Sequence, residues 1–305
     1  MLDTVKIYLP EDTYSIAEDS KLQVQPSSYT AGTQERNNEF LLFKTVAGRN
    51  HFGSKAFLNT EKFHLDIKPF TFQKNKMVCF LHFSVPRVYS GNNYYSVGEQ
   101  GSKAVFDYLE QELKNYGFYT NLQNAYFSRL DTFKNIQPEE PFETYSPLFS
   151  LLKAERKLKR SFGTTFMVSN TQQEFMVYDK LQEMRNRKLE TSGFPETMRF
   201  EHRLLSKDKI NTVLGFSQVA DMFQGGYAVI KDKRKESWKQ NLFHYSVEEV
   251  VQLGSNQLEQ EMRTFRKVHG SHWFHYFLKS YGAFHLAKFA GAEVVEKALE
   301  KMESN

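Results

Sequence analysis

Met198-Arg199-Phe200-Glu201-His202-Arg203-Leu204 alternates apolar and charged residues over the length of a strand. Successive side chains of a strand point to opposite faces, so residues two apart share a side. Arg199, Glu201 and Arg203 therefore fall together, and His202 falls with Phe200 and Leu204, where it reads as a core histidine. Two further stretches repeat the pattern. Ser128-Arg129-Leu130-Asp131 sets Arg129 beside Asp131, with Phe127 and Leu130 as apolar alternates, and Val177-Tyr178-Asp179-Lys180 sets Tyr178 beside Lys180. If the three share a sheet, one face is apolar and the other carries carboxylates, guanidiniums, an ammonium and a phenol. Such a face suits a metal ion and a phosphodiester better than an apolar ligand.

Around these strands the first 145 residues or so are strand-rich. Strands are predicted over Val5–Leu9, Phe40–Thr45, Phe63–Ile67, Met77–Val88, Tyr94–Val97 and Tyr126–Phe133, with a helix over Gly101–Tyr116, where Val105, Tyr108, Leu109, Leu113 and Tyr116 keep helical spacing. Residues 11–38 are polar and read as a long loop or irregular strands. A helix is predicted from Pro147 to about Arg160, then strands over Thr164–Val168 and Glu174–Lys180 about a turn at Ser169-Asn170-Thr171. A basic helix over Leu181–Leu189 leads into a strand over Thr197–Leu204. The expected class is α+β, an antiparallel sheet with helices on one face, followed by an all-helical C-terminal region. Helical pattern takes over after Ser206, placing a boundary near Leu205 between a domain of residues 1–205 and one of residues 206–305.

Composition narrows the classes. The chain has 305 residues, enough for one large or two ordinary domains. Its net charge of +4 permits a polyanionic partner without demanding one. The 28 phenylalanines fill cores, and some can serve as stacking platforms for bases. Cys79 is alone within Met77-Val78-Cys79-Phe80-Leu81, which removes a disulfide framework and all but removes a cysteine zinc site. The opening Met1-Leu2-Asp3-Thr4-Val5-Lys6 is too short and charged for a signal peptide, and no apolar run reaches membrane-spanning length. A cytoplasmic protein with no membrane partner is expected.

Each candidate group has a bland alternative. Tyr178 becomes a nucleophile only if a nearby cation stabilises its phenolate, a role open to Lys180; otherwise it is a packed strand tyrosine beside a solvated lysine. Asp131 and Glu201 are hard oxygen ligands for Mg2+ or Mn2+, with Arg129, Arg199 and Arg203 gripping phosphate, or else all five make structural ion pairs. His64, on the side of Asp66, is a third metal ligand or a solvated strand histidine. His269, His272 and His275 have zinc-like spacing without a nearby acid or cysteine. Lys157 and Arg160, in the cluster Lys153 to Arg160, belong to a phosphate track or to an ordinary solvated helix. Lys209–Phe223, turning at Gly215-Phe216, and Trp273–Leu299 read as helix-turn-helix stretches or as plain helical packing.

The opening segment, Ser128-Arg129-Leu130-Asp131-Thr132-Phe133, Val177-Tyr178-Asp179-Lys180 and Met198–Leu204, taken in this order, resemble the phage and plasmid replication initiators of the filamentous-phage II/X type. The resemblance spans roughly residues 1–210. It implies a rolling-circle initiator that binds double-stranded origin DNA, nicks one strand through a tyrosine, keeps the 5′-phosphate and leaves a 3′-OH primer. It further implies Mg2+ or Mn2+, contact with single-stranded DNA, a host helicase and polymerase as partners, and allows a homodimer. By motif match Tyr178 takes the nucleophile's place, Lys180 that of its cationic neighbour, and Asp131 and Glu201 the acidic positions. Residues 1–205 become the nicking domain and 206–305 a helical DNA-binding or accessory domain. In a related plasmid group the tyrosine lies one strand earlier, before a Gly-Ser turn. Phe166-Met167-Val168-Ser169-Asn170 has neither feature, which leaves Tyr178 as the only tyrosine between Tyr145 and Tyr227. Two rivals remain: a non-catalytic single-stranded nucleic-acid-binding protein, in which aromatics and arginines on a sheet stack and clamp a strand, and a mobilisation relaxase.

Overall fold

The computed structural model describes residues 1–25, 55–69, 77–138, 141–143, 149, 158–241 and 267. The chain forms two compact units, Met1–Thr132 with Arg203–Lys231, and Phe133–His202 with Asp232–Asn305. The class is α+β with antiparallel ladders. The division into units does not follow the change of sequence character near Leu205.

The first unit carries β1 (Leu2–Leu9), β2 (Tyr14–Ile16), β3 (Gln23–Gln25), β4 (Lys55–Asn59), β5 (Phe63–Pro69), β6 (Met77–Ser84), β7 (Phe118–Thr120) and most of β8 (Tyr126–Ile136). Its main strands lie in the order β3-β4-β5-β6-β1-β8, while β2 pairs β7 in a small separate sheet. Period-two burial runs through these strands, with Asp3 and Val78 buried out of phase. Val5, Ile7, Leu9, Leu65, Ile67, Cys79, Leu81 and Phe83 are buried on one face, against Val105, Phe106, Leu109 and Leu113 of a helix. Each such side chain contributes about 1.5–3 kcal/mol on burial.

Met77–Val88 is not one strand. Pro86, with no N–H for a ladder, starts helix α1 (Val85–Ser90), which Gly91 closes at φ 81°. The strand expected over Tyr94–Val97 is absent as well. Asn92 Oδ1 accepts from the Tyr94 N–H at 3.0 Å, and that Asx turn leaves a bend leading to helix α2 (Glu99–Asn115). Strand β8 holds a bulge. Its register against β1 shifts between Lys6↔Arg129 and Ile7↔Phe127, so Ser128 and Arg129 both turn outward while Phe127 and Leu130 stay buried.

The second unit carries β9 (Leu158–Phe162), β10 (Thr165–Ser169), β11 (Gln173–Asp179) and most of β12 (Met198–Leu204), in the order β12-β11-β10-β9. Leu158–Arg160 is strand where helix was expected. Phe162 pairs with Thr165 across the two-residue turn Gly163-Thr164, with Gly163 at φ 55°, a hairpin signal stronger than the leucine spacing before it. The rest of that expected helix, Lys157 included and Phe149 apart, lies outside the described residues, as do Phe40–Thr45, Trp273–Leu299 and the three spaced histidines. Phe142, Phe149, Val168, Phe175, Val177, Met198 and Phe200 form a phenylalanine-rich core. Helix α3 (Lys180–Asn186) begins where Asp179 Oδ1 accepts from the Gln182 N–H at 2.9 Å.

Beyond β12, Ser206 caps α4 (Lys207–Leu214), which ends on Gly215 at φ 79°. Then come α5 (Val219–Asp221), a break at Gln224 and Gly225, and α6 (Tyr227–Asn241). The turn expected at Gly215 is present.

Candidate functional site

In the second unit Tyr178 and Glu201 meet. The Tyr178 hydroxyl donates to Glu201 Oε2 at 2.9 Å, and both residues are buried, 6% and 2% exposed. Arg199 is fully buried. Its Nε–H donates to Asn135 Oδ1 at 2.8 Å and its guanidinium carbon sits 3.9 Å from the centre of the Phe133 ring. His202 stacks on Phe175 with centroids 4.1 Å apart, as a core histidine does.

Lys180 departs from the strand reading. Strand β11 ends at Asp179, so Lys180 is the first residue of α3, and its fully buried ammonium donates to Glu183 Oε2 at 2.7 Å. The i, i+3 spacing on one helix brings Lys180 and Glu183 together, and Glu183 also pairs with Arg187. Arg160 is exposed on β9, opposite Met167 of β10. Lys157 lies outside the described residues.

In the first unit Asp131 is held by arginines. Arg129 donates Nε–H to Oδ1 at 2.8 Å and Nη2–H to Oδ2 at 2.6 Å, a bidentate pair, and Arg203 Nε stands 3.6 Å from Oδ2. The Asp131 side chain is 1% exposed and that of Arg129 31%, so the acid lies inside and the cation reaches the surface. The alternative of structural ion pairs describes these residues.

The residues present do not fit a divalent ion as they stand. Both Asp131 oxygens are engaged by Arg129, Glu201 accepts from a phenol, and no three His, Cys, Asp or Glu gather as a ligand set among the described residues. His64 faces the same side as Asp66, but Asp66 pairs with Lys68 at 3.0 Å.

What the strand reading missed is where His64 sits. The ladders set Asn59, His64, His82, Lys6 and Arg129 in one row across β4, β5, β6, β1 and β8. The next row holds Phe57, Asp66, Phe80, Tyr8 and Tyr126 on the same five strands. Apart from exposed His82 and Asn59, these side chains are half-buried, on the face opposite the core. Cations lie against the rings: Lys6 Nζ is 4.3 Å from the Phe80 centroid and Lys207 Nζ 3.8 Å from that of Tyr126. Burial first, then Lys68 and Arg129, lower the Lys6 pKa, although Asp66 opposes them. Burial and then Arg129, Lys6 and His64 lower that of His82. The rows therefore carry a positive field. The signal was available in Val5-Lys6-Ile7-Tyr8-Leu9 and Phe80-Leu81-His82-Phe83, whose alternates to the core are cations and rings.

Among the described residues no helix is long and apolar enough to cross a membrane. No family model matches the chain, and neither does any curated protein.

Proposed function

We propose that the protein is a rolling-circle replication initiator that nicks and rejoins one strand of origin DNA through Tyr178, with Mg2+ or Mn2+ as the ion to be supplied, a host helicase and polymerase as partners and an all-helical C-terminal region as DNA-binding or accessory part. The observation that carries the reading is the hydrogen bond from the Tyr178 hydroxyl to Glu201 Oε2 at 2.9 Å. A carboxylate accepting from a phenol is placed to take its proton as the oxygen attacks phosphorus. The Tyr178 O–P bond forms as the P–O3′ bond breaks, the phenol proton passes to Glu201, and the departing 3′ oxygen takes up a proton. The 5′-phosphotyrosine keeps the bond energy for resealing, so no nucleotide is consumed. Tyr178 is 6% exposed, so attack requires the cover over the phenol to move when DNA binds.

The test uses the full chain with supercoiled plasmid bearing the replicon's own origin, and labelled single-stranded origin DNA, with Mg2+ or Mn2+ added. The expected result is a nick and a DNA-linked peptide containing Tyr178, both lost in Tyr178→Phe. An adduct that survives the substitution moves the nucleophile elsewhere, and failure of the wild-type chain to cut removes the reading.

A second reading, a non-catalytic single-stranded nucleic-acid-binding protein, is favoured by a different observation. Asp131, Lys180 and Glu201 are buried and engaged by partners within their own units. Strand binding without cleavage supports it.

A further inference from the structure

We infer that the half-exposed sheet face of the first unit is a stacking platform for single-stranded polynucleotide, with bases on Phe80, Tyr8 and Tyr126 and phosphates on Lys6, Arg129 and Lys207. The inference shares a ligand class with the proposed function but does not use Tyr178, Glu201 or any metal.

Three features carry it. First, the rings come from adjacent strands in direct register, Phe80 opposite Tyr8 and Tyr8 opposite Tyr126. Neighbouring strands lie about 4.8 Å apart, so the three positions span roughly 10 Å, room for the two or three bases that sheet aromatics stack. Phe80 and Tyr8 have centroids 5.8 Å apart at 52°, so these rings do not close on each other as a stacked pair and leave surface for a base.

Second, the cations sit one step along the same strands. Lys6 and Arg129 occupy the adjoining row, Lys6 two residues from Tyr8, about 6.7 Å, and Arg129 three residues from Tyr126 across the bulge. That is a reach comparable to the one between a base and its own phosphate. Lys6 lies over the Phe80 ring and Lys207 over that of Tyr126, so two of the three rings already have a cation beside them. Asp131 fixes the Arg129 guanidinium from beneath while leaving part of it at the surface.

Third, cations outnumber acids in the two rows, which set Lys6 and Arg129 against Asp66. Asp66, the acid within the two rows, is paired with Lys68. Burial first, and then cationic neighbours, make Lys6 and His82 hold their protons less readily, and a phosphate backbone relieves the second of these. A duplex hides its base faces, and a purely cationic patch needs no rings. Rings and cations in adjacent rows fit unstacked bases joined by phosphates.

The experiment measures fluorescence anisotropy of a labelled oligo-dT of about 15 nucleotides with the full chain in EDTA, so that cleavage plays no part. Binding weakens with salt. Phe80→Leu and Tyr8→Leu, which keep bulk and remove the ring, each lower affinity about ten-fold, and Phe80→Tyr restores it. Lys6→Gln lowers affinity and reduces the logarithmic salt slope by about 0.7. Because the assay excludes cleavage, a chain that binds the oligonucleotide through these rings but never cuts plasmid still supports the platform, which separates this inference from the nicking proposal. Equal binding of an RNA oligonucleotide supports the shared chemistry. Equal competition by a duplex, equal capture by phosphatidylserine vesicles, or indifference to both leucine variants overturns it. Should a leucine variant fail to fold, photocrosslinking of iodouracil-containing oligonucleotide to the wild-type chain decides: adducts on β1, β6 or β8 support the platform, and adducts confined to other segments sink it.

Discussion

The two units use the same strand grammar and arrive at opposite surfaces. In the first, Lys6, Tyr8, Phe80, His82 and Arg129 alternate with core residues and stand on a half-exposed face. In the second, Arg199 and Glu201 alternate with Met198 and Phe200, yet every one of the four is buried. A charge on a half-exposed face keeps part of its hydration and stays within reach of a ligand. A buried charge survives only with a partner in place, and the partner is what holds it. The difference lies in what covers the second face of a strand, which alternation alone does not encode.

The sharpest way to break that comparison is at Arg129, which belongs to both kinds of surface. Its guanidinium reaches solvent while it neutralises an Asp131 side chain that is 1% exposed. Arg129→Met takes the bidentate partner from that carboxylate and leaves it to Arg203, 3.6 Å away, so it should cost at most about 3 kcal/mol in chemical denaturation, the scale of breaking a buried ion pair. Asp131→Asn should cost less, since the arginine it releases can turn to water. A gain in stability from Asp131→Asn would mean that the carboxylate is held against repulsion to receive a cation, and Asp131 would return to the metal-ligand reading.

Tyr178→Phe comes next. It removes a hydrogen bond to a buried carboxylate, worth about 1.5–3 kcal/mol for a charged acceptor, and leaves ring packing intact. If equilibrium unfolding shows no loss, Glu201 holds its charge by other contacts and the phenol is present for chemistry rather than stability. A loss in that range together with unchanged oligonucleotide binding makes the pair a structural element of the second unit whether or not it also cuts DNA.

Much of this architecture was legible. Most strands, helix α2, the turns at Asn170 and Gly215 and the core placing of His202 follow from period-two and period-3.6 patterns and from turn residues. The errors share a cause. At Pro86, Asn92 and Gly163 local backbone chemistry overrode an apolar run or leucine spacing. The Tyr-x-Lys pattern at Tyr178 and Lys180 reads as strand alternation, but Asp179 caps a helix there and swings the ammonium to Glu183. The bulge at Ser128 is why Phe127 and Leu130, three apart, are both buried. The aromatic and cationic rows depend on register between β4, β5, β6, β1 and β8, which are far apart in sequence, so no single segment displays them.

The smallest effect should fall where charge is cheapest to remove. Lys207 is exposed at the start of α4, with its ammonium 3.8 Å from the centre of the Tyr126 ring. At an exposed site that contact is worth about 0.5–1 kcal/mol, and Lys207→Ala should change the denaturation midpoint by no more than that. The same substitution removes a cation from the edge of the ring row, so oligonucleotide affinity should drop several-fold while stability barely moves. That split distinguishes the open face from the closed one, where stability and any activity fall together. A Lys207→Ala chain that loses as much stability as Arg129→Met would mean the first unit's face is as integrated as the second's, and the contrast between them would fail at its weakest point.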